Sequence, residues 1–433
     1  MIYTKNDKKS ISSSGRFELF IVLAAVVLIL TPVIIGLFSS SKKAEEKRME
    51  LYLSTRSDEF FGKDTTEMFL RGYEKRNPDL RIMQINATSD ISADTSAGTS
   101  AAASGQGQPF KIPDILIFDD SEYSSLVADG ALLPLAHYFH VEGGDEQFAI
   151  PLVSFMNLLF YNIEILEEAG FDRPPKTRDE FLAYSKAVSG DNISGFSFGL
   201  SPNDKQAMSR DIFSWIWAGE GDFWPEDSDN GLPVTTARYI INSIAFLGRL
   251  YREGSPAPKS FETTGAQRLD EFAQGKIAMM IASSRDIPAL RRKMGENIFG
   301  ITAIPGAAGK YNVSLSGYYA GISSECRYPD EAWDFLLYLV EQIPLLCAKL
   351  KAVPGAVSDL STSDYIKEDP FYYKAWEIFA HPGTQVVQGF SGNPYGDELE
   401  RVFREEMRGF FESSRTATET AAVIQQKWTD ILE

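Results

Sequence analysis

Leu19 to Phe38 is a run of 20 residues without a single charge, most of them aliphatic. As a helix rising about 1.5 Å per residue, it is about 30 Å long, the thickness of a bilayer's hydrocarbon core. It therefore predicts one transmembrane helix and divides the chain into a short tail, residues 1–18, an anchor, residues 19–38, and a body. A cleavable signal peptide carries an apolar stretch of roughly 7–15 residues, so the length favours an uncleaved anchor, although Ser39–Ser41 offer small residues to a peptidase. The first cysteine is Cys326, so no lipid can be attached just behind the run. Lys5, Lys8, Lys9 and Arg16 before it are matched by Lys42, Lys43, Lys47 and Arg48 after it, and the positive-inside rule leaves its orientation open.

The chain has 433 residues, enough for two or more lobes with large cores. Its net charge is −18; residues 1–41 carry +2, which leaves −20 on the body. Such a field repels phosphate backbones and excludes nucleic acid as a natural partner. Cys326 and Cys347 have no spacing that suggests zinc, haem or a redox pair; they permit one disulfide without requiring it.

Along the body, Leu51–Leu53 predicts a strand. Asp64 with Glu67 predicts the cap of a helix that carries Met68, Phe69 and Tyr73 and stops at Asn77-Pro78. Leu80–Ile85 predicts the next strand, giving the strand, helix, strand order of a parallel sheet. Residues 92–108 collapse to Ser, Ala, Gly, Thr and Gln, a composition that reads as a loop interrupting the domain. Ile112–Phe118 predicts a buried strand ending at Asp119-Asp120, and carboxylates at a strand end lie where α/β proteins bind ligands. Thr177 with Glu180 predicts a capping box before Phe181, Leu182 and Val188. Pro329 with Asp330 and Glu331 opens a helix whose Ala332, Phe335, Leu336, Leu339 and Val340 follow one buried face.

In this order the segments resemble the family 1 extracellular solute-binding proteins of ABC importers, the group that includes binders of maltose and other oligosaccharides. The resemblance rests on YEKRNPDL from Tyr73, PDILIFDD from Pro113, DGALLPL ending at Leu135, Ile150-Pro151, and Tyr161-Asn162 with EILEEAGF from Glu164. It continues through PPKTRDEF from Pro174, EFAQGKIAMMI from Glu271, FGITAIPG from Phe299, SGYYAGISS from Ser316 and PDEAWDFLLYL from Pro329. It covers roughly residues 49–360. It departs from the family at the 92–108 insert, at the absent lipobox cysteine, and at SSRDIP from Ser283, where sugar binders often place an aromatic.

The resemblance implies an α/β body with the two-lobed periplasmic binding protein fold, its lobes discontinuous and joined by a hinge. Lobe 1 would take about 49–150 and 267–312, lobe 2 about 151–266 and 313–433. It also implies that the body lies on the periplasmic or extracellular side of the cytoplasmic membrane, which resolves the orientation of the anchor.

Sugar recognition needs planar polar groups and flat aromatic faces. The candidates are Asp119 and Asp120, which can alternatively cap the next helix, and Trp215, Trp217 and Trp224 around GEGDFW, which reads as loop and offers stacking faces. The family resemblance adds Tyr318 and Tyr319 and places Arg285, with Asp286, in a loop that approaches ligand; it assigns Tyr161 and Asn162 to lobe architecture. The acidic body favours neutral or cationic ligands at long range, with Arg285 able to overrule it locally.

Catalytic signatures are absent: there is no GxSxG, HExxH or Walker A, and the only imidazoles are His137, His140 and His381. His137 and His140 have helical ligand spacing but no acidic third ligand nearby, so neither a metal nor any other cofactor is expected. The function expected is a membrane-anchored importer component that binds a sugar or oligosaccharide and hands it to the permease subunits. The alternatives are a membrane-anchored glycan-processing enzyme and a ligand sensor for a receptor.

Overall fold

The computed structural model describes residues 48–55, 63–85, 112–138, 147–219, 222–224, 232–254, 259–306, 311–354, 364–387, 389–390 and 393–433. The apolar run at 19–38, the insert at 92–108 and His140 lie outside them. Among the described residues no helix is long and apolar enough to cross a membrane.

The chain divides into two compact units. The smaller comprises residues up to Leu51 and Leu70–Met83. Within it the helix Lys63–Arg76 ends where Asn77 donates its side-chain amide to the Tyr73 carbonyl, 3.2 Å, one residue before Pro78 removes the next donor. Glu74 turns back to accept from the Ile82 N–H of the following strand at 3.1 Å. Leu51, Tyr73, Leu80 and Ile82 are buried. The helix starts at Lys63, one residue ahead of the expected cap at Asp64. Met68, expected on the buried side, is 40% exposed, because Tyr73 aligns at i+4 with Phe69 rather than with its neighbour.

The larger unit holds Tyr52–Phe69 and Gln84–Glu433. Its strands are the end of β1 (Met49–Thr55), β3 (Ile115–Asp119), β4 (Ala149–Asn162), β5 (Ser194–Phe196), β6 (Ile277–Ser283), β7 (Phe299–Thr302), β8 (Tyr311–Ile322), β9 (Val353–Pro354) and β10 (Thr384–Val387), with β2 (Leu80–Ile85) lying mostly in the smaller unit. β1 and β3 run parallel, Leu53 opposite Ile115, as do β5 and β6. The two longest strands change partners midway. β4 pairs antiparallel with β8 from Ala149 to Met156, then with β6 and β7 from Asn157 to Asn162. β8 pairs with β10 up to Ser314 and with β3 from Tyr318 onward. A single register shift, between Pro151 and Val153, bends the β4–β8 ladder.

The helices supply the bulk of the core. Phe213, Phe223, Phe390, Phe403 and Trp428 interlock at ring distances of 5.0–5.9 Å, and the buried Trp428 indole donates to the Leu399 carbonyl at 2.8 Å. Arg268 is fully buried and its charge is paired: it donates to the Asp211 carboxylate and, at 3.0 Å, to the Ile281 carbonyl, tying the helix Gly265–Ala273 to β6. The expected helices are present at Arg178–Val188 and Pro329–Glu341. Thr177 caps the first through the Glu180 N–H, but the Glu180 side chain binds Arg173 and the Lys176 N–H, so the box is only half closed.

Candidate functional site

A cavity of about 770 Å³ opens in the larger unit where β4 and β8 change partners. Asn157, Ser283 and Ser314 lie at this crossing and line it, the Asn157 amide donating to the Ser314 hydroxyl at 3.4 Å. The volume is within the roughly 300–1,000 Å³ typical of small-molecule sites.

On one wall, β3 ends at Asp119, which caps the turn Asp120–Glu122 by accepting from the Ser121 N–H at 3.2 Å. Asp119 thus does both things the sequence allowed: it caps a helical turn and it faces the cavity. Asp120 accepts from the Gly317 N–H of β8 at 3.1 Å. Burial, and after it the neighbouring charge of Asp119, with which it shares a hydrogen bond, hold the Asp120 carboxyl well above the usual carboxylate range.

Across the cavity, β6 runs into a turn whose Ser283 accepts from the Arg285 N–H while Asp286 reaches back to the Ser283 N–H at 3.1 Å. This aims Arg285 at Asp119, Nη2 to Oδ2 3.4 Å, with the guanidinium over the rings of Phe155 at 4.5 Å and Tyr318 at 4.9 Å. Asp286 also lines the cavity, and burial raises its pKa.

The third wall is helical. Asp204 caps the helix Lys205–Ala218 by accepting from the Ala207 N–H at 3.0 Å, and Lys205, Ser209, Phe213 and Trp217 follow at i+4 intervals along the cavity, with Arg210 beside them. Phe213 and Trp217 stack at 5.4 Å. Facing them, the helix Gly396–Glu412 contributes Asp397, Glu400, Arg401 and Arg404; Arg404 binds Glu400 and Ser209, both at 2.9 Å. Burial raises the pKa of Asp397 and of Glu400.

Asp119, Asp120, Arg285 and Trp217 from the sequence reading thus share one cavity. Trp215 does not line it. The helix Lys205–Ala218 ends where the expected GEGDFW loop begins at Gly219, so Trp215 and Trp217 lie on the helix; Trp215, two positions from Trp217 and so on the opposite helical face, is buried against Phe181 and Phe246 at 4.9 and 5.1 Å. Trp224 packs edge-on to Phe390 at 5.3 Å, outside the lining. Tyr318 lies beneath Arg285, and Tyr319, the next residue, points to the other face of β8 and stacks on Tyr123 at 5.0 Å. Neither lines the cavity. Of the residues missed, Lys205, Ser209 and Phe213 carried a readable signal in the i+4 stripe from Lys205 to Trp217, whereas Arg210, beside that stripe, and Arg404, on another helix, carried none. Among the described residues no group of His, Cys, Asp or Glu could hold a metal, and Cys326 and Cys347 are both free thiols.

Residues 58–342 match the family model of the bacterial extracellular solute-binding proteins. A curated relative in Brucella abortus, named as a binding protein, is 23% identical over 339 residues, 71% of this chain and 75% of the relative. Among solved structures, the GacH receptor of Streptomyces glaucescens, solved unliganded and with acarbose, superposes with a TM-score of 0.66 at 16% identity, over 89% of this chain and 98% of that one. The cyclic α-maltosyl-1,6-maltose binding protein of Arthrobacter globiformis gives 0.69 at 17% identity, over 89% and 99%. These likenesses establish the mixed α/β fold of the two-lobed periplasmic binding proteins. With 285 residues under the family model, this chain belongs to the bacterial extracellular solute-binding proteins, which hold a solute rather than transform it.

Proposed function

We propose that this protein is the membrane-anchored, extracytoplasmic binding component of an ABC importer, capturing a sugar or oligosaccharide and delivering it to the permease subunits. The observation that carries this reading is the cavity at the β4–β8 crossing, whose lining combines planar polar groups on Asp119, Asn157 and Arg285 with the stacked rings of Phe213 and Trp217. Hydroxyl groups need such acceptors and donors, and the apolar face of a sugar ring needs such rings. The acarbose and cyclic maltosyl-maltose ligands of the two similar structures support the same ligand class.

In this reading the lobes are about 49–150 with 267–312, and about 151–266 with 313–433. β4 and β8 form the hinge, and closure around the ligand follows from its higher affinity for the closed state. Leu19–Phe38 remains attached and holds the body at the outer face of the cytoplasmic membrane.

A thermal-shift screen of the full-length protein across sugars, polyamines, amino acids and glycerol phosphates tests the ligand class. A ligand at 100 times its dissociation constant adds about 2.7 kcal/mol of stability. Saturable stabilisation by a saccharide without product formation is the expected result. Stabilisation by a non-sugar alone overturns the carbohydrate assignment and leaves solute capture standing. Small-angle scattering with saturating ligand should show a more compact particle; unchanged dimensions contradict hinge closure.

A further inference from the structure

The cavity is rich in charge, and most of that charge is already answered from within the protein. Arg285 faces Asp119, Arg404 binds Glu400, and Arg401 binds Glu398 and Glu405. Lys205 is exposed to solvent. Arg210 is different. Its side chain is only 19% exposed and lines the cavity, yet it makes no hydrogen bond among the described residues.

Its one ion-pair contact, Nε to Asp211 Oδ1 at 3.7 Å, is too long for a hydrogen bond and leaves both of these buried atoms without one, while Asp211 gives its other oxygen to Arg268 and to the Gly199 N–H at 2.7 Å. The remaining charged groups around it are also committed. Asp286 accepts from the Ser283 N–H, Asp204 accepts from the Ala207 and Gly265 N–H groups, and Arg268 is a second cation. A guanidinium presents a planar fork of five donors that matches a carboxylate with two parallel hydrogen bonds. The Nε edge of this fork looks toward Asp211 Oδ1 at a distance too long for a hydrogen bond, and no acceptor within hydrogen-bond reach among the described residues serves the rest of it, so a ligand in the cavity is placed to supply one.

We infer that Arg210 receives a carboxylate, so that the saccharide captured in this cavity is an acidic one, a uronate-bearing sugar. This rests on the reading of the protein as a sugar-capturing importer component. A carboxylate fits better than a phosphate, because a single negative charge balances the single open guanidinium. A dianion would place its second charge among Asp119, Asp286, Asp397 and Glu400. The net acidity of the body does not oppose this at contact range, since salt screens it within about 8 Å.

The test is titration calorimetry on the full-length protein with glucuronate, galacturonate, mannuronate and their dimers. Each is measured beside the neutral sugar of the same stereochemistry and its 6-phosphate. At least one uronate should bind tenfold or more tighter than its neutral partner, and Arg210→Gln should erase most of that preference while Arg210→Lys retains part of it. The unliganded Arg210→Gln protein should melt no lower than the wild type, which separates loss of ligand contact from loss of fold. Equal affinity for neutral and acidic sugars overturns the inference and leaves sugar capture intact, as does a uronate preference that survives Arg210→Gln. Tighter binding of the phosphates overturns the choice of carboxylate. If no saccharide of any charge binds, this inference and the sugar reading fall together.

Discussion

Arg285 and Asp119 stand 166 positions apart in the chain and meet at 3.4 Å in the lining of the cavity. The ion pair is partly exposed, so its intrinsic contribution to stability is small. Its consequence is for the site, because Asp119 is pinned between the Ser121 N–H and a guanidinium that itself rests on Phe155 and Tyr318.

Asp119→Asn should therefore weaken ligand binding more than it weakens the fold. A charge-assisted hydrogen bond contributes about 1.5–3 kcal/mol, so an affinity loss of roughly tenfold to a hundredfold is expected by calorimetry. The melting temperature of the unliganded variant should change little.

Asp120 makes the unliganded protein sensitive to pH. Its folded pKa lies above its ordinary value of 3.8, so between the two the folded state binds more protons than the unfolded. Its contribution to stability is greatest in acid and is lost as pH rises through that interval. Asp120→Asn keeps an acceptor for the Gly317 N–H and removes the titrating charge. The variant should melt higher than the wild type near neutrality, with the difference closing as pH falls toward 3.8, as followed by thermal melts across pH.

Trp215 and Trp217 should separate by function although two residues apart. Trp215→Ala leaves a void between Phe181 and Phe246 and should cost about 3–5 kcal/mol in denaturant unfolding. Trp217→Leu should weaken saccharide binding by calorimetry, since its ring and that of Phe213 form the apolar wall.

The two thiols should be inert in the folded protein. Burial pushes Cys347 up to about 12 and Cys326, with Asp114 adding to the effect, up to about 11, so almost no thiolate is present at pH 8. A thiol reagent should label neither within minutes and both after denaturation. Rapid labelling of Cys347 in the native state would contradict its burial.

Residues 19–38 should keep the protein in membranes washed with alkaline carbonate, and its N-terminal sequence should precede the apolar run. A soluble form beginning near Lys42 would show cleavage instead.

Much of this was legible from local sequence because local forces govern it. The strand Leu80–Ile85, the helix stop at Asn77-Pro78, the Thr177 cap and the buried face from Ala332 to Leu339 depend on hydrogen bonds and side-chain periods within a few residues. Asp119 at a strand end could be marked in the same way. What the sequence did not determine is which groups face one another. GEGDFW marked a loop beside the tryptophans, but only the helix that ends at Ala218, just before it, sends Trp217 to the cavity and Trp215 to the core. Arg210 and Arg404 carry no local mark of a binding site in the sequence. They reach the site because helices nearly two hundred residues apart pack with those faces inward, and whether a charge meets a partner there is decided by tertiary contacts that no local pattern encodes.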